Sequence, residues 1–313
     1  MSGVKIALSR QPLNTEPVMY PSLLIALGVA ILVFWFALEL KSSRPDGARV
    51  KVHPYRKLLF HFLPTRVESQ VTFDLEVRSE KLEAFIAQHR PTWGMTMTHA
   101  TVAACAKILE SNPRMNRFVS GRRLYQRHGR WITFDVKRTK MGREAKLAAV
   151  KIQIGEREHL QELCTKINSQ IQVERSGKPT HADAQLMVLN FLPRPFLAFV
   201  VWLLDWANDH NILPAHLIRD DPMFTSIFLG NMGSLGMDAP SHHLFEHGNC
   251  PVFIMVGKIR EIPIVEGDHL TVGRSFLIRI TYDERIDDGL NAKYGIEALR
   301  TALENPEHLI TTV

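Results

Sequence analysis

From Tyr20 to Leu40 the chain reads YPSLLIALGVAILVFWFALEL, and no charge interrupts Leu23 to Leu38. That is about the 20 residues needed to cross a hydrocarbon core of roughly 30 Å. Tyr20, Trp35 and Phe36 stand toward its ends, where aromatic rings suit the interface. A cleaved signal peptide is the competing reading. The run is too long for that, starts too late, and is followed by no small-residue cleavage site. The expectation is one retained transmembrane helix over 20–40. Lys5 and Arg10 precede it, whereas Lys41, Arg44, Arg49, Lys51, Arg56 and Lys57 follow it, opposed in that stretch by Asp46. The basic flank stays in the cytoplasm. Residues 1–19 are then a short extracytoplasmic tail, and the protein is single-pass with its C-terminal part cytoplasmic. Residues 41–54, KSSRPDGARVKVHP, read as a basic linker, and their charge makes membrane lipid an expected partner.

Beyond that segment the 313 residues read as ordinary globular protein, with 45% hydrophobic and 22% charged residues. This excludes a disordered, collagenous or multi-span chain. The net charge of +6 does not choose between nucleic acid, an anionic membrane and a phosphate-bearing ligand. No nucleic-acid motif is present, so no such partner is expected. Three widely spaced cysteines, Cys105, Cys164 and Cys250, argue against a disulfide framework and a Cys-rich zinc site, and fit a reducing compartment.

The remainder mixes strands and helices. Val71 to Val77 alternates apolar and polar, as a half-buried strand does, and Ser79 is placed to cap the helix that follows. Thr98 to Pro113 has helical spacing and stops at Asn112-Pro113. RWITFDVKR and Lys146 to Ile154 read as strands, and Glu156 to Val173 as a helix. Val252 to Ile259 suits a strand covered on both faces. Ser275 to Asp283 alternates and leads through a turn, DERIDDG, into a helix bearing Ile296, Leu299 and Leu303. Phe196 to Ala207, FLAFVVWLLDWA, is too short to span. Its spacing fits a buried core helix; the other reading is a helix at the membrane interface or along an apolar channel.

The turn gathers Asp283, Glu284, Arg285, Asp287, Asp288 and Gly289. Clustered carboxylates raise one another's pKa unless a cation neutralises them. An acidic turn is also what a helix N-terminus favours in solvent.

The turn is similar to the D-H-R-x-x-D-G signature of the dihydrolipoyl acyltransferase catalytic domain, the core enzyme of 2-oxoacid dehydrogenase complexes. Chloramphenicol acetyltransferase shares that fold and a related H-x-x-x-D-G motif. Phe224 to Pro240, FTSIFLGNMGSLGMDAP, resembles the family's T-F-T-I-S-N-L-G-x-x-G segment, and PVFIMVGKI the strand after it. THATVAACAKILESNPRMN resembles its helix ending in H-P-x-x-N, and YRKLLFHFLPTRVESQVTFDLEV its N-terminal stretch. The ordered set runs from about Tyr55 to Leu309. It implies a chloramphenicol acetyltransferase-like α/β mixed-sheet sandwich over 55–313, a homotrimer with its site between subunits, and acyl transfer between coenzyme A and a second thiol.

In the family the motif histidine accepts the thiol proton, the serine before N-L-G donates to the oxyanion, and the motif aspartate holds the turn through a salt bridge. Imidazole, with a pKa near 6.5, suits a thiol near 8.5. Here the histidine position is Glu284 and the serine position is Gly230, before Asn231. The surviving scaffold is Asp283, Arg285, Asp288 and Gly289. The lipoyl-bearing domain has no counterpart, nor is there a clear G-L-x-x-P-V-I channel segment near 146–154. Glu284 serves as a base if burial among its acidic neighbours raises its pKa. Ser226 and Ser234 stand near the lost serine as replacement oxyanion donors. In the loop SHHLFEHGN, His242, His243 and His247 are candidate metal ligands or substitute bases; an exposed or interface loop is the plainer reading. Asn112 and Asn116 read as turn residues, and Trp202 and Trp206 as packing residues.

Two functions follow. One is a membrane-anchored acyltransferase with Glu284 as base and Asp288 as turn anchor. Its acyl donor is a small molecule, a coenzyme A thioester or relative, and it has no covalently bound cofactor. The other is a catalytically inactive trimer of the same fold, serving as scaffold or ligand-binding module at the membrane.

Overall fold

A computed structural model describes residues 21–138, 147–176 and 191–310. The 1–19 tail, Tyr20 and Lys146 lie outside the described residues. The chain divides into two compact units, Met1–Lys41 and Ser42–Val313. In the first, α1 (Pro21–Leu40) is an apolar helix of 20 residues. Among the described residues it is the one helix long and apolar enough to cross a membrane, over Ser22–Leu40.

The second unit is built on a six-stranded mixed sheet. Its strands are β2 (Gln70–Arg78), β5 (Arg130–Lys137), β6 (Leu147–Ile154), β7 (Ile227–Asn231), β8 (Val252–Glu266) and β9 (His269–Asp283). The spatial order is β2-β9-β8-β7-β5-β6, with β7 parallel to both neighbours and every other pair antiparallel. A second sheet places β4 (Arg123–Arg127) between β1 (Gly47–Arg49) and β3 (Arg117–Ser120). The expected linker over 41–54 is therefore built into the domain: β1 pairs with β4, and Arg44 and Gly47 are buried.

Helices α3 (Glu80–Trp93), α4 (Met97–Ser111), α5 (Leu160–Arg175) and α8 (Gly289–Glu304) pack on one sheet face. The main core lies there, between Val252, Ile254, Ile278, Ile280, Ile227 and Leu229 of the sheet and Val102, Ile108, Leu299 and Leu303 of the helices. Ala103, Ala104 and Ala106 are fully buried as well, so α4 is enclosed on nearly every side rather than along one stripe. Small side chains allow the close approach that such a central helix needs. Ser79 precedes α3, but its Oγ donates to Glu83 at 2.7 Å instead of accepting from the helix backbone.

Two elements differ from expectation. The hairpin β8–β9 continues to Glu266 and His269, well past the expected strand ends, and β2 stops pairing at Arg78 opposite Ser275. The second is α6 (Arg194–Asp209), which is not a core helix: Asn208 is its one buried residue. Phe196, Phe199 and Trp202 are 63%, 55% and 57% exposed, so Trp202 is not packed into the core, and Trp206 is half-buried. Only Leu204 and Ala207 join the small cluster of Leu213, Ile218 and Phe224. A short apolar run has the same spacing whatever covers it, so periodicity alone did not separate these cases. Polar contacts hold α6 instead. Asn208 accepts from Arg44 at 2.9 Å, and Asp209 Oδ1 accepts from the Gly121 N–H at 2.9 Å.

Candidate functional site: a cation-clamped acidic turn and a filled strand pocket

The acidic turn leaves β9 at Asp283 and enters α8 at Gly289. Asp283 is fully buried and bound in a fork by Arg285, with Nε donating to Oδ1 at 2.9 Å and Nη2 to Oδ2 at 2.8 Å. Ser69 Oγ adds a third donor at 3.0 Å. Arg285 spends its remaining donor, Nη1, on the carbonyls of Leu63 and Pro64, at 3.0 and 3.1 Å. The turn is thereby tied to the segment that follows α2 (Pro54–Phe62). Asp287 is buried with Arg114 Nη1 at 3.7 Å and Arg56 Nη1 at 4.0 Å. Cations thus answer both buried acids, and mutual repulsion among carboxylates is not the governing effect.

Asp288 is exposed and is the N-cap of α8: its Oδ1 accepts from Asn291 N at 3.0 Å. That hydrogen bond lowers its pKa from the usual carboxylate value. The turn-holding ion pair implied for Asp288 is made by Asp283 and Arg285 instead. A Cβ on Gly289 would meet only open space, so sterics do not demand glycine there. Glu284 is exposed in the protomer, and its backbone N–H is fixed to Ser69 O at 3.0 Å. The burial supposed for Glu284 is absent from a single protomer.

Gly230 sits inside β7, opposite Met255 of β8 in parallel register. A Cβ built on it would lie 2.7 Å from Met255 Sδ and 3.0 Å from Met255 Cε. The space a serine side chain needs is filled by a thioether. Around it, Phe228, Phe253, Ala239 and Leu244 close a second apolar cluster on the sheet face away from the main core. Ser226 is fully buried, and its Oγ accepts from the Trp131 N–H at 3.1 Å. It lies four residues upstream of Gly230, about 13 Å along the strand, so it is no oxyanion donor for that position. Asn231 accepts from Ser234 N at 3.1 Å and donates to Thr98 Oγ1 at 3.0 Å, pinning the strand end to α4. Ser234 Oγ is turned back onto Asn231 O at 2.8 Å.

Strand register separates the two halves of the site. Gly230 pairs with Met255, and Met255 with Arg279, five residues before Glu284. That is about 17 Å along the strands plus two strand spacings of about 4.8 Å each. One protomer does not bring Glu284 and Gly230 together.

The His loop forms the roof of the second apolar cluster. His242 stacks on Phe253 with ring centroids 4.0 Å apart, and His243 stacks on His242. His247 is clamped between Asp205 Oδ1 at 2.7 Å and Asp221 Oδ2 at 2.9 Å, which pushes its pKa up to about 10. Among the described residues no group of three or more His, Cys, Asp or Glu could hold a metal ion. Spacing did not reveal the arginines that fix this loop. Buried Arg66 donates to Gly248 O at 2.8 Å and to Glu246 O, and Arg127 donates to Asn249 O at 3.0 Å. A single buried arginine in a polar stretch gives no periodic signal, so neither was legible. Asn116 does hold a turn, donating to Gly129 O at 2.8 Å, and Asn112 is the C-cap of α4. The three cysteines are buried and free; burial pushes the Cys105 thiol up to about 12, which rules it out as a ready thiolate.

No family model and no curated protein matches the sequence. Solved structures do. A probable dihydrolipoamide acetyltransferase from Listeria monocytogenes is 15% identical with a TM-score of 0.55, covering 82% of this chain and 93% of its own. The dihydrolipoamide acetyltransferase of Azotobacter vinelandii is 16% identical with a TM-score of 0.55, covering 84% and 94%. The cubic core of a pyruvate dehydrogenase multienzyme complex is 15% identical with the same score, covering 84% and 94%. This is the acyltransferase-core fold. Within that acyltransferase fold a serine, a histidine and an asparagine figure in the catalytic mechanism of the Azotobacter enzyme.

Proposed function

We propose that this protein is a single-span membrane protein whose cytoplasmic acyltransferase-fold domain forms a homotrimer and binds an acyl thioester of the coenzyme A type without transferring the acyl group. The filled pocket at Gly230 carries this reading. An acyl-transfer oxyanion needs a fixed donor about 3 Å away, and Met255 occupies the space from which the family's hydroxyl would act. The separation of Glu284 from Gly230 supports assembly, since the two halves meet only if a neighbouring protomer supplies one of them. The length and composition of α1 support the span, and the basic residues after Leu40 support the orientation.

One observation favours a second reading, in which Glu284 is a working base. Its side chain is exposed, on a turn held by the Asp283–Arg285 fork. Closure of a neighbouring protomer over it would exclude water from the carboxylate. Thiol release from acyl-coenzyme A by the full-length protein in detergent separates the two. No release from wild type or Glu284→Gln is expected. Release from wild type that Glu284→Gln abolishes overturns the binding-only reading in favour of catalysis.

A further inference from the structure

Helix α6 carries Phe196, Phe199, Trp202, Leu203 and Trp206. At 100° per residue these five side chains fall within an arc of about 120°. Phe196, Phe199, Trp202 and Leu203 are 63%, 55%, 57% and 42% exposed, and the rings of Phe199 and Trp202 stack at 5.8 Å. A contiguous aromatic stripe of this kind marks a contact surface.

The chain itself indicates what covers it. Arg44 follows Leu40 by four residues, so no more than about 14 Å of chain separates it from the end of the apolar run. Its guanidinium donates to Asn208 Oδ1 at 2.9 Å and to Asn211 Oδ1 at 3.3 Å, at the C-terminal end of α6. That end is fixed tightly to the domain: a Cβ on Gly121 would lie 2.1 Å from Asp209 O, and Ser120 Oγ donates to Asn208 O at 3.2 Å. The covalent chain therefore ties the C-terminal end of α6, through Arg44, to the end of the apolar run by a tether of four residues. The helix has 16 residues, about 24 Å, too short to span and long enough to lie flat. Its composition suits the headgroup boundary, with Trp and Phe on one stripe. Exposed Arg194 at its start and exposed Arg122, next to Gly121 at its end, offer charge to anionic headgroups. Asp205 lies off the stripe and is engaged by His247.

We propose that α6 is a second membrane contact, lying in the headgroup–acyl boundary with its aromatic stripe toward lipid and holding the domain against the bilayer. This rests on the reading of α1 as a span, and the test keeps the two apart. The native cysteines are all buried, so an engineered surface cysteine takes a spin label selectively. Full-length Phe199→Cys, Phe36→Cys and Gln161→Cys are labelled and reconstituted in vesicles of phosphatidylcholine and phosphatidylglycerol. The label at 199 is expected to collide with oxygen as the α1 label at 36 does. It is expected to lose collision with a water-soluble nickel chelate relative to the label at 161. A label at 36 in lipid with the label at 199 behaving like that at 161 overturns the α6 contact and leaves the span intact. A label at 199 shielded from both reagents shows that protein covers the stripe, and also overturns it. A label at 36 outside lipid removes the span, and this inference with it.

Discussion

Asp283 and Arg285 form a forked pair with both side chains almost fully buried. Removing one charge strands the other in a low-dielectric site, which costs about 3–5 kcal/mol. Asp283→Asn is therefore expected to lower stability by that amount in a denaturant titration. Asp288→Ala, which loses only an exposed cap, is expected to cost about 1 kcal/mol. At Gly230 the expected result is non-additivity. Gly230→Ser drives its side chain into Met255 and is expected to cost about 1–3 kcal/mol, as overpacked cores do. In Gly230→Ser/Met255→Ala the clash is gone, and the double variant is expected to recover part of the loss of the Gly230→Ser variant. A double variant less stable than the sum of the two singles would refute the account of a filled pocket.

His247 joins α6 to the segment leading into β7 through Asp205 and Asp221. Its folded pKa, near 10, lies above the unfolded value of about 6.5. The pairing therefore stabilises fully below about pH 6.5 and is lost as pH rises through about 10. The melting temperature of His247→Gln should fall below wild type at pH 6 and converge with it above pH 10; a gap that does not change with pH would exclude the clamp. At this scale the sequence was a good guide wherever an element contacts the core. β2, β9 and α8 show the alternation or stripe that their buried faces require, and the turn between β9 and α8 was legible as an acidic cap. It was a poor guide where burial is set by something other than a core. The aromatic spacing of α6 is the same for a core helix and an exposed one. β1 was hidden in a polar, Pro- and Gly-containing stretch because its pairing with β4 is through backbone. The thioether that fills the Gly230 pocket comes from a neighbouring strand, and no local pattern registers a cross-strand contact.

For the whole molecule, the acyltransferase-core fold arises from α4 and α8 buried against a six-stranded sheet, with the site halves at opposite ends of two strands, β7 and β9, that β8 separates. If protomers complete the site between them, Ser234→Cys and Glu284→Cys placed in the same chain should cross-link neighbouring protomers on mild oxidation, giving covalent ladders up to a trimer that neither single variant gives. Monomer alone after oxidation would argue against the shared site. Ligand retention is the claim on which the functional account turns. Calorimetric titration of acyl-coenzyme A into the full-length protein in detergent tests it most directly. Saturable heat at one site per protomer is the expected result, and a titration indistinguishable from dilution would contradict the account.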